Sequence, residues 1–321
     1  MANGEIPFRG IGSRRYVSAQ LDHDGGRRIA SGLIDVTVPN AARASDFLQG
    51  GQAHFAADRK AAAALVESAP SIAAIPASAR AFRRRVARYL AADAGIGQFL
   101  DVGHGLMTPG NTHEAAQAVD PSCRVVYVES DPMMLDWTKA KLTSAPGGLV
   151  ACVEGEIADV DAIVSASGLS EAGPPAADPS GPTAPTADPA DVGRPGDGAI
   201  LDPGRPLAVL LLSTLSHVPS TADAAKVVTT LMDAAPSGSY LAIYHLASDL
   251  DPLMAAAFKQ WNAAAAVPIV LRSSDAVGSL AAGLDLVPPG LVPLNDWRPD
   301  DSDPPAAATQ VPVHALVARK P

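Results

Sequence analysis

The sequence predicts an α/β protein with a mostly parallel sheet and helices on both of its faces. Between residues 97 and 246, short apolar runs alternate with helical segments, a pattern typical of parallel strands joined by helices. The run over residues 207–212 is continuously apolar, as in strands that are buried on both faces. A glycine-rich loop follows the first run, where open sheets of this class bind their ligands.

Five apolar runs are predicted as strands, and in chain order they read QFLDVG, RVVYVES, LVACV, LAVLLLSTL and SYLAIYHL. Helices are expected between them over about residues 112–119, 131–142 and 222–235. A further helix over about residues 252–264 precedes two closing strands, LDLV and VHALVARK. This alternation indicates a Rossmann-like sheet.

Three segments lie outside that sheet. Residues 1–38 are polar and punctuated by Gly and Arg, and we interpret them as an arm that lies on the main domain. Residues 39–95 predict a helical lid, and residues 96–321 predict the Rossmann-like domain itself. Within that domain, residues 168–206 contain nine Pro, seven Gly and no aromatic residue, which predicts a disordered insertion.

The lid segment predicts three helices. The Gly50–Gly51 pair ends a short first helix, and strong helix formers follow over residues 56–68. The third helix, over about residues 77–92, carries a row of arginines that we interpret as a solvated face. These arginines are Arg80, Arg83, Arg84, Arg85 and Arg88.

Composition excludes several classes of protein. The chain has 24 Lys plus Arg against 34 Asp plus Glu, a net charge of −10, so it lacks the basic surface that nucleic-acid binding needs. Cys123 and Cys152 support neither a disulfide framework nor a thiolate zinc site, and no histidine spacing indicates another metal. No apolar stretch is long enough for a signal peptide or a membrane span. We therefore expect a soluble, cytoplasmic protein without metal, nucleic-acid or membrane partners.

The glycine-rich loop carries the first functional signal. Strand QFLDVG ends in Asp101 and runs into Gly103 and Gly105, so the backbone can approach a ligand closely. The second strand ends at Glu129, where a carboxylate can accept hydrogen bonds from both hydroxyls of a ribose. Together these features predict a nucleoside-containing ligand. A dinucleotide fits less well, because the third glycine of that fingerprint is absent.

Four separated blocks of the chain resemble an actinobacterial family of methyltransferase-like proteins dependent on S-adenosylmethionine (SAM). The blocks contain PNAARASDFLQGGQAHFAADRKAA, QFLDVGHGL with RVVYVESDP, PSGSYLAIYHLASD and GLDLVPPGLVPLNDWRPD, in the order of the family. The resemblance covers about residues 32–320 apart from the Pro-rich insertion. It implies a class I methyltransferase fold with SAM as the cofactor.

The resemblance also implies the residues that hold SAM. Gly103 and Gly105 would line the loop under the cofactor, and Asp101 would face its methionine end. Glu129 would hold the ribose, and Glu156 matches the acidic position that meets the adenine amino group.

Residues 46–55 would cap the cofactor as a lid hinged at the Gly50–Gly51 pair. The substrate would enter beside this lid and the rim of the sheet, and one group there would accept its proton. The candidates for that catalytic group are Asp46, His54, His104 and His217.

Some positions that border the implied SAM pocket depart from the family pattern. His104 replaces a Thr, Ser45 replaces a Tyr and Ala79 replaces an Asn. The imidazole of His104 would crowd the methionine tail, and the other two changes remove hydrogen-bonding groups. Losing two or three such bonds costs about 2 to 4 kcal/mol of cofactor binding.

Three functions follow as alternatives. The first is a SAM-dependent methyltransferase of secondary metabolism, acting on a small molecule that is free, carrier-bound or handed over by a partner enzyme. The second is SAM-independent ring closure, in which an amine expels sulfate or phosphate to form an aziridine. It rests on a resemblance to methyltransferase-like proteins of azinomycin-type antibiotic pathways, and Arg80 or a protonated His would stabilise the leaving group. The third is a non-catalytic scaffold for a partner enzyme.

Overall fold

The computed structural model of the chain describes residues 15–21, 27–107, 109–169, 200–301, 303 and 309–321. The strands in these ranges are β1 (Arg15–Leu21), β2 (Arg27–Asp35), β3 (Gln98–Val102), β4 (Arg124–Glu129), β5 (Leu149–Glu154), β6 (Ala208–Leu212), β7 (Tyr240–Leu246), β8 (Asp285–Leu286), β9 (Val292–Pro293) and β10 (Val313–Arg319). The helices are α1 (Ala41–Leu48), α2 (Ala56–Ser68), α3 (Ile75–Ala92), α4 (Thr112–Gln117), α5 (Pro132–Lys141), α6 (Val160–Ser167), α7 (Thr221–Ala234), α8 (Met254–Asn262) and α9 (Ser274–Ser279).

The main sheet has the strand order β5-β4-β3-β6-β7-β10-β8, with β9 paired to β10. Strands β3 to β7 run parallel, whereas β10 is antiparallel to β7. The predicted α/β class with a mostly parallel sheet is therefore confirmed. The five predicted parallel strands lie within two or three residues of β3, β4, β5, β6 and β7.

The order of the strands positions a ligand crevice. From β3 the chain first builds outward through β4 and β5, then returns to the other side of β3 with β6. The connections after β3 and β6 therefore leave the sheet in opposite directions, and a crevice opens at the carboxyl ends of these two strands.

Alternate residues of β3 serve two separate apolar layers, because successive side chains of a strand point to opposite faces. Phe99 packs in one layer with Phe82 and Val86 of α3. Leu100 packs in the other layer with Val228 of α7. Both faces of the sheet are thus covered, as the continuously apolar strands predict.

The interpretation of the arginine row on α3 as a solvated face is wrong for part of the row. Arg85 is buried, donates through Nε to the Trp297 carbonyl at 3.0 Å and pairs with Asp303. Arg84 also pairs with Asp303, at 2.8 Å. These partners lie more than 200 residues away in sequence, so local charge patterning could not indicate them.

The lid helix α1 ends as the Gly50–Gly51 pair predicts. Gly50 has a φ of +74°, its N–H donates to the Phe47 carbonyl, and the Gly51 N–H donates to the Asp46 carbonyl at 2.9 Å. This pair of bonds is a Schellman cap, which favours glycine at its left-handed residue. Asn40 caps the other end, since its side chain accepts from the Ala42 N–H.

A buried carboxylate joins the two lid helices. Asp58 of α2 accepts hydrogen bonds from Arg43 Nε of α1 at 2.8 Å and from the backbone N–H groups of Asn40 and Phe55. Arg43 also donates to the Val38 carbonyl at 2.8 Å. The pair is almost completely shielded from solvent, so each charge depends on the other.

The predicted arm and insertion are described only in part. Strands β1 and β2 form an antiparallel hairpin that lies beside α5, while residues 1–14 and 22–26 lie outside the described residues. Of the predicted disordered insertion, residues 170–199 also lie outside them. Its flanks are packed: Leu169 and Leu201 are buried, and the Gln98 amide donates to the Asp202 carbonyl at 3.1 Å.

We expect Asp58→Ala to lower the free energy of unfolding by about 3 to 5 kcal/mol, because it leaves the Arg43 charge buried without a partner. The matched control is Arg88→Met, which removes an ion pair with Asp300 that is largely exposed and is expected to cost less than about 1 kcal/mol. Chemical denaturation of both variants measures the difference. Equal losses in the two variants would contradict the structural role of Asp58.

Candidate functional site

A cavity of about 800 Å³ lies at the carboxyl ends of β3, β4 and β6. Helices α1 and α3 cover it, and residues 103–106 and 128–131 form its floor. This volume is within the range of pockets that bind cofactors and other small molecules.

Two glycines shape the floor of the cavity. Gly103 and Gly105 have φ values of +69° and +71°, which side chains with a Cβ rarely adopt. A Cβ on Gly103 would lie 2.6 Å from Thr214 Oγ1, so the loop also packs too closely against the end of β6 for any larger residue. A Cβ on Gly105 would lie 3.5 Å from the Ala42 Cβ of the lid. The loop therefore runs directly beneath α1.

Glu129 lies beside this loop at the end of β4. Its Oε1 accepts from the Ser130 and Asp131 N–H groups at 2.9 and 3.1 Å, and the Gly105 N–H also stabilises the carboxylate. Burial outweighs these bonds and raises the pKa of Glu129 to about 7. A carboxylate held at this position can accept bonds from the hydroxyls of a bound sugar.

The remaining two residues of the implied SAM set occupy different places. Glu156, after β5, is exposed and lines the rim of the cavity. Asp101 is fully buried and does not reach the cavity wall; its Oδ2 accepts from Thr112 Oγ1 at 2.6 Å. Burial raises the pKa of Asp101, and the nearby Arg83 charge opposes this rise. In this arrangement Asp101 anchors the start of α4.

His104 is packed inside the fold, with 1% of its side chain exposed. Its Nε2 lies 2.8 Å from Thr138 Oγ1, and its ring centroid lies 4.6 Å from that of Tyr127. Burial, together with the charge of Arg83, lowers the pKa of His104 to about 3. The imidazole is therefore neutral at pH 7. His104 is among the residues that line the cavity, and its Nδ1 lies 3.9 Å from Glu129 Oε2.

Asp46 and His54 form a contact that closes the loop between α1 and α2. Asp46 Oδ2 accepts from the Ala53 N–H at 2.7 Å and lies 3.0 Å from His54 Nδ1. A Cβ on Gly51 would lie 2.0 Å from Asp46 Oδ1, so the loop folds tightly over this carboxylate. Asp46 lines the cavity, whereas His54 does not and packs against the Phe47 ring.

His217 lies on the cavity wall in the 3-10 turn that follows β6. Burial lowers the pKa of His217, and a hydrogen bond to the Pro268 carbonyl partly offsets this effect. Its Nδ1 has no hydrogen-bond partner among the residues that the structure describes. Of the two candidate histidines that line the cavity, His217 is half-buried whereas His104 is buried.

Sequence reasoning missed the apolar end of the cavity. Ile72, in the turn before α3, and Ile75, the first residue of α3, line the cavity with Phe258 and Trp261 of α8 and with Ile269. The helical spacing of residues 75, 79 and 83 could have indicated one shared face of α3. Nothing local could have indicated α8, because it is about 180 residues further along the chain.

The described ranges contain no group of three or more His, Cys, Asp or Glu placed to hold a metal ion. In the same ranges, every helix is too short or too polar to cross a bilayer.

Gly103→Ala tests the close packing of the loop. Gly95 also has a positive φ, +67°, but a Cβ there would meet no atom within 4 Å. We expect Gly95→Ala to cost about 1 to 2 kcal/mol of stability from backbone strain alone, and Gly103→Ala to cost about 1 to 3 kcal/mol more. Denaturant melts of the two variants measure this difference, and equal costs would contradict the contact with Thr214.

Glu129→Gln tests the raised pKa of Glu129. Between pH 4.5 and about 7 the folded protein holds a proton that the unfolded chain releases, so the stability of the wild type falls as the pH rises through this window. We expect similar stabilities for wild type and variant near about pH 5, and a variant more stable by up to about 3 kcal/mol near about pH 8. Denaturant melts across this range measure it; a variant that is less stable at the higher pH would refute the buried-acid interpretation.

Comparisons with known proteins point in one direction. A family model described as S-adenosyl methyltransferase matches residues 27–172 and 183–321. The structure of a DUF574 family protein from Streptomyces avermitilis is similar with a TM-score of 0.73 and 31% identity, over 89% of this chain and 99% of that one. A provisionally assigned methyltransferase from Thermobifida fusca gives a TM-score of 0.71 and 30% identity, over 89% and 96%. Comparison with curated proteins gives no match.

Proposed function

Because the chain belongs to the S-adenosyl methyltransferase family, we propose that it transfers a methyl group from SAM to a small molecule. The observation that carries the proposal is that the Gly103–Gly105 loop and the Glu129 carboxylate lie beside each other on the wall of one cavity. This is the arrangement that a nucleoside with two free ribose hydroxyls requires.

The residues present fit SAM. The left-handed Gly103 and Gly105 add no side chain to the floor of the cavity, and Glu129 beside them would accept hydrogen bonds from the ribose hydroxyls. Glu156 lines the rim and would accept from the adenine amino group. When bound, SAM supplies an electrophilic methyl group, and the enzyme's task is to orient the acceptor atom toward it.

The geometry favours His217 as the group that takes the proton of the acceptor. Its lowered pKa keeps the imidazole neutral and able to accept a proton at pH 7. His104 is a poor choice because its pKa of about 3 makes it a very weak base, and His54 does not reach the cavity. Asp46 is engaged by the Ala53 N–H and His54.

The shape of the cavity supports a small-molecule acceptor. Helices α1, α3 and α8 line it, and part of this lining is apolar and aromatic. An acidic chain gains nothing from a nucleic-acid backbone. The predicted place in secondary metabolism, and delivery by a carrier or a partner enzyme, remain predictions from the resemblance.

The alternative of SAM-independent ring closure loses part of its support. Burial keeps His104 and His217 neutral near pH 7, so neither supplies a protonated imidazole for a departing sulfate or phosphate, and Arg80 is left for that role. Methyl transfer requires no such cation.

Calorimetric titration with S-adenosylhomocysteine tests the proposed function. We expect a dissociation constant in the micromolar range, weakened about 10- to 100-fold in Glu129→Ala, because charge-assisted bonds to the ribose are lost. Glu154→Ala is the matched control. Glu154 lies opposite Glu129 on the neighbouring strand β5, but it is exposed and does not line the cavity. The affinity of this variant for S-adenosylhomocysteine should stay unchanged.

In the same titration His217→Asn should bind S-adenosylhomocysteine as the wild type does, because we place His217 on the acceptor side. With an accepted substrate its kcat should fall about 100-fold or more. A folded wild type that gives no heat up to millimolar ligand would refute SAM dependence, and the scaffold or ring-closure alternative would then stand.

A further inference from the structure

The five arginines of α3 divide into two sets by their contacts. Three of them form ion pairs with two carboxylates that precede β10 in the chain. These are Arg84 and Arg85 with Asp303, and Arg88 with Asp300. The other two, Arg80 and Arg83, line the cavity. Neither of them forms an ion pair with a carboxylate in the described part of the chain.

Arg80 and Arg83 lie one helical turn apart and are both half-buried. Arg83 donates through a terminal nitrogen to the His104 carbonyl of the glycine loop at 3.2 Å. The Nε atoms of both residues are buried and have no hydrogen-bond partner among the described residues. Burial, and the like charge of Arg83, lower the pKa of Arg80.

Two neighbouring, partly desolvated cations that form no ion pair are unfavourable by themselves, although the buried Asp101 carboxyl lies near Arg83. A bound anion removes this cost, and guanidinium groups hold carboxylate, sulfate and phosphate oxygens with paired hydrogen bonds. The net charge of the chain is −10, so a local pair of cations on a cavity wall runs against the overall sign of the protein.

We propose that Arg80 and Arg83 form an anion subsite in the cavity, which takes an acidic oxygen group of the bound small molecule. The subsite lies between two regions along α3. Ile72 and Ile75 lie toward the apolar end, whereas Arg83 touches the glycine loop. The anion is therefore held between the apolar end and the nucleoside end.

Two molecules could supply such a group, and this part of the inference rests on the proposed function. One is the cofactor, through the carboxylate of its methionine end. The other is the acceptor, as an apolar molecule that carries an acidic group. The anion subsite itself depends on neither, so it can be tested without any nucleoside.

The first experiment uses inorganic sulfate as the probe. Thermal unfolding midpoints are measured with increasing sulfate at constant ionic strength, for wild type, the double variant Arg80→Gln/Arg83→Gln, and Arg88→Gln as the matched control. We expect a sulfate-dependent rise in wild type and control that is lost in the double variant. Any general stabilisation of folded proteins by sulfate raises the unfolding midpoint of the control and of the double variant alike. Equal rises in all three proteins would overturn the proposal.

The second experiment distinguishes the sources. S-Adenosylhomocysteine and 5′-methylthioadenosine share the nucleoside and the sulfur, but only the former has a carboxylate. If the cofactor supplies the anion, the double variant binds S-adenosylhomocysteine at least about tenfold more weakly and 5′-methylthioadenosine unchanged. If the acceptor supplies it, both affinities stay unchanged while the sulfate response is lost. Equal weakening of both nucleosides would overturn the assignment, because it indicates a general disruption of the pocket.

A wild type that binds neither nucleoside would refute the proposed function alone. The sulfate measurement would still decide the anion subsite. Cooperative unfolding of the double variant in sodium chloride establishes that it is folded, so a lost sulfate response cannot be attributed to misfolding.

Discussion

The buried ion pair between Arg43 and Asp58 is the constraint on which the rest of the site depends. In open parallel sheets, a shallow crevice lies at the carboxyl ends of the strands. Here helices α1 and α2 help to turn that crevice into a cavity. Asp58 fixes α1 to α2 by accepting from the Arg43 side chain and from two backbone N–H groups at the starts of these helices. The side chain of Asn40, at the start of α1, also reaches Asp131 beside Glu129 at 3.3 Å. A lid held in this way places Ala42 over the glycine loop and Asp46 on the cavity wall.

Burial sets the charges inside the cavity and thereby the chemistry open to it. It holds His104 and His217 neutral and raises the pKa of Glu129 to about 7, so that carboxylate titrates near neutral pH. Arg80 and Arg83 are the cations that α3 contributes to the cavity wall. Glu129, at the end of β4, and Glu156, after β5, also line the cavity.

The sequence was sufficient for the fold and for the part of the site that is local. Apolar strands, the glycine loop and Glu129 are each encoded within a few residues, and their predicted positions agree with the sheet. Contacts between distant segments could not be read in this way. The pairing of Arg85 with Asp303, the apolar wall on α8 and the turning of His104 toward Thr138 all depend on tertiary packing. Residue size alone does not show where a side chain points, so the packing of His104 against Thr138 could not be predicted from the sequence.

A crystal structure of the protein with S-adenosylhomocysteine would show directly whether the glycine loop and Glu129 bind a nucleoside. We expect the nucleoside above Gly103 and Gly105, with both ribose hydroxyls within hydrogen-bond distance of the Glu129 carboxylate. Density for the ligand at any other place, or a cavity that stays empty at saturating ligand in crystals with an open lid, would contradict it.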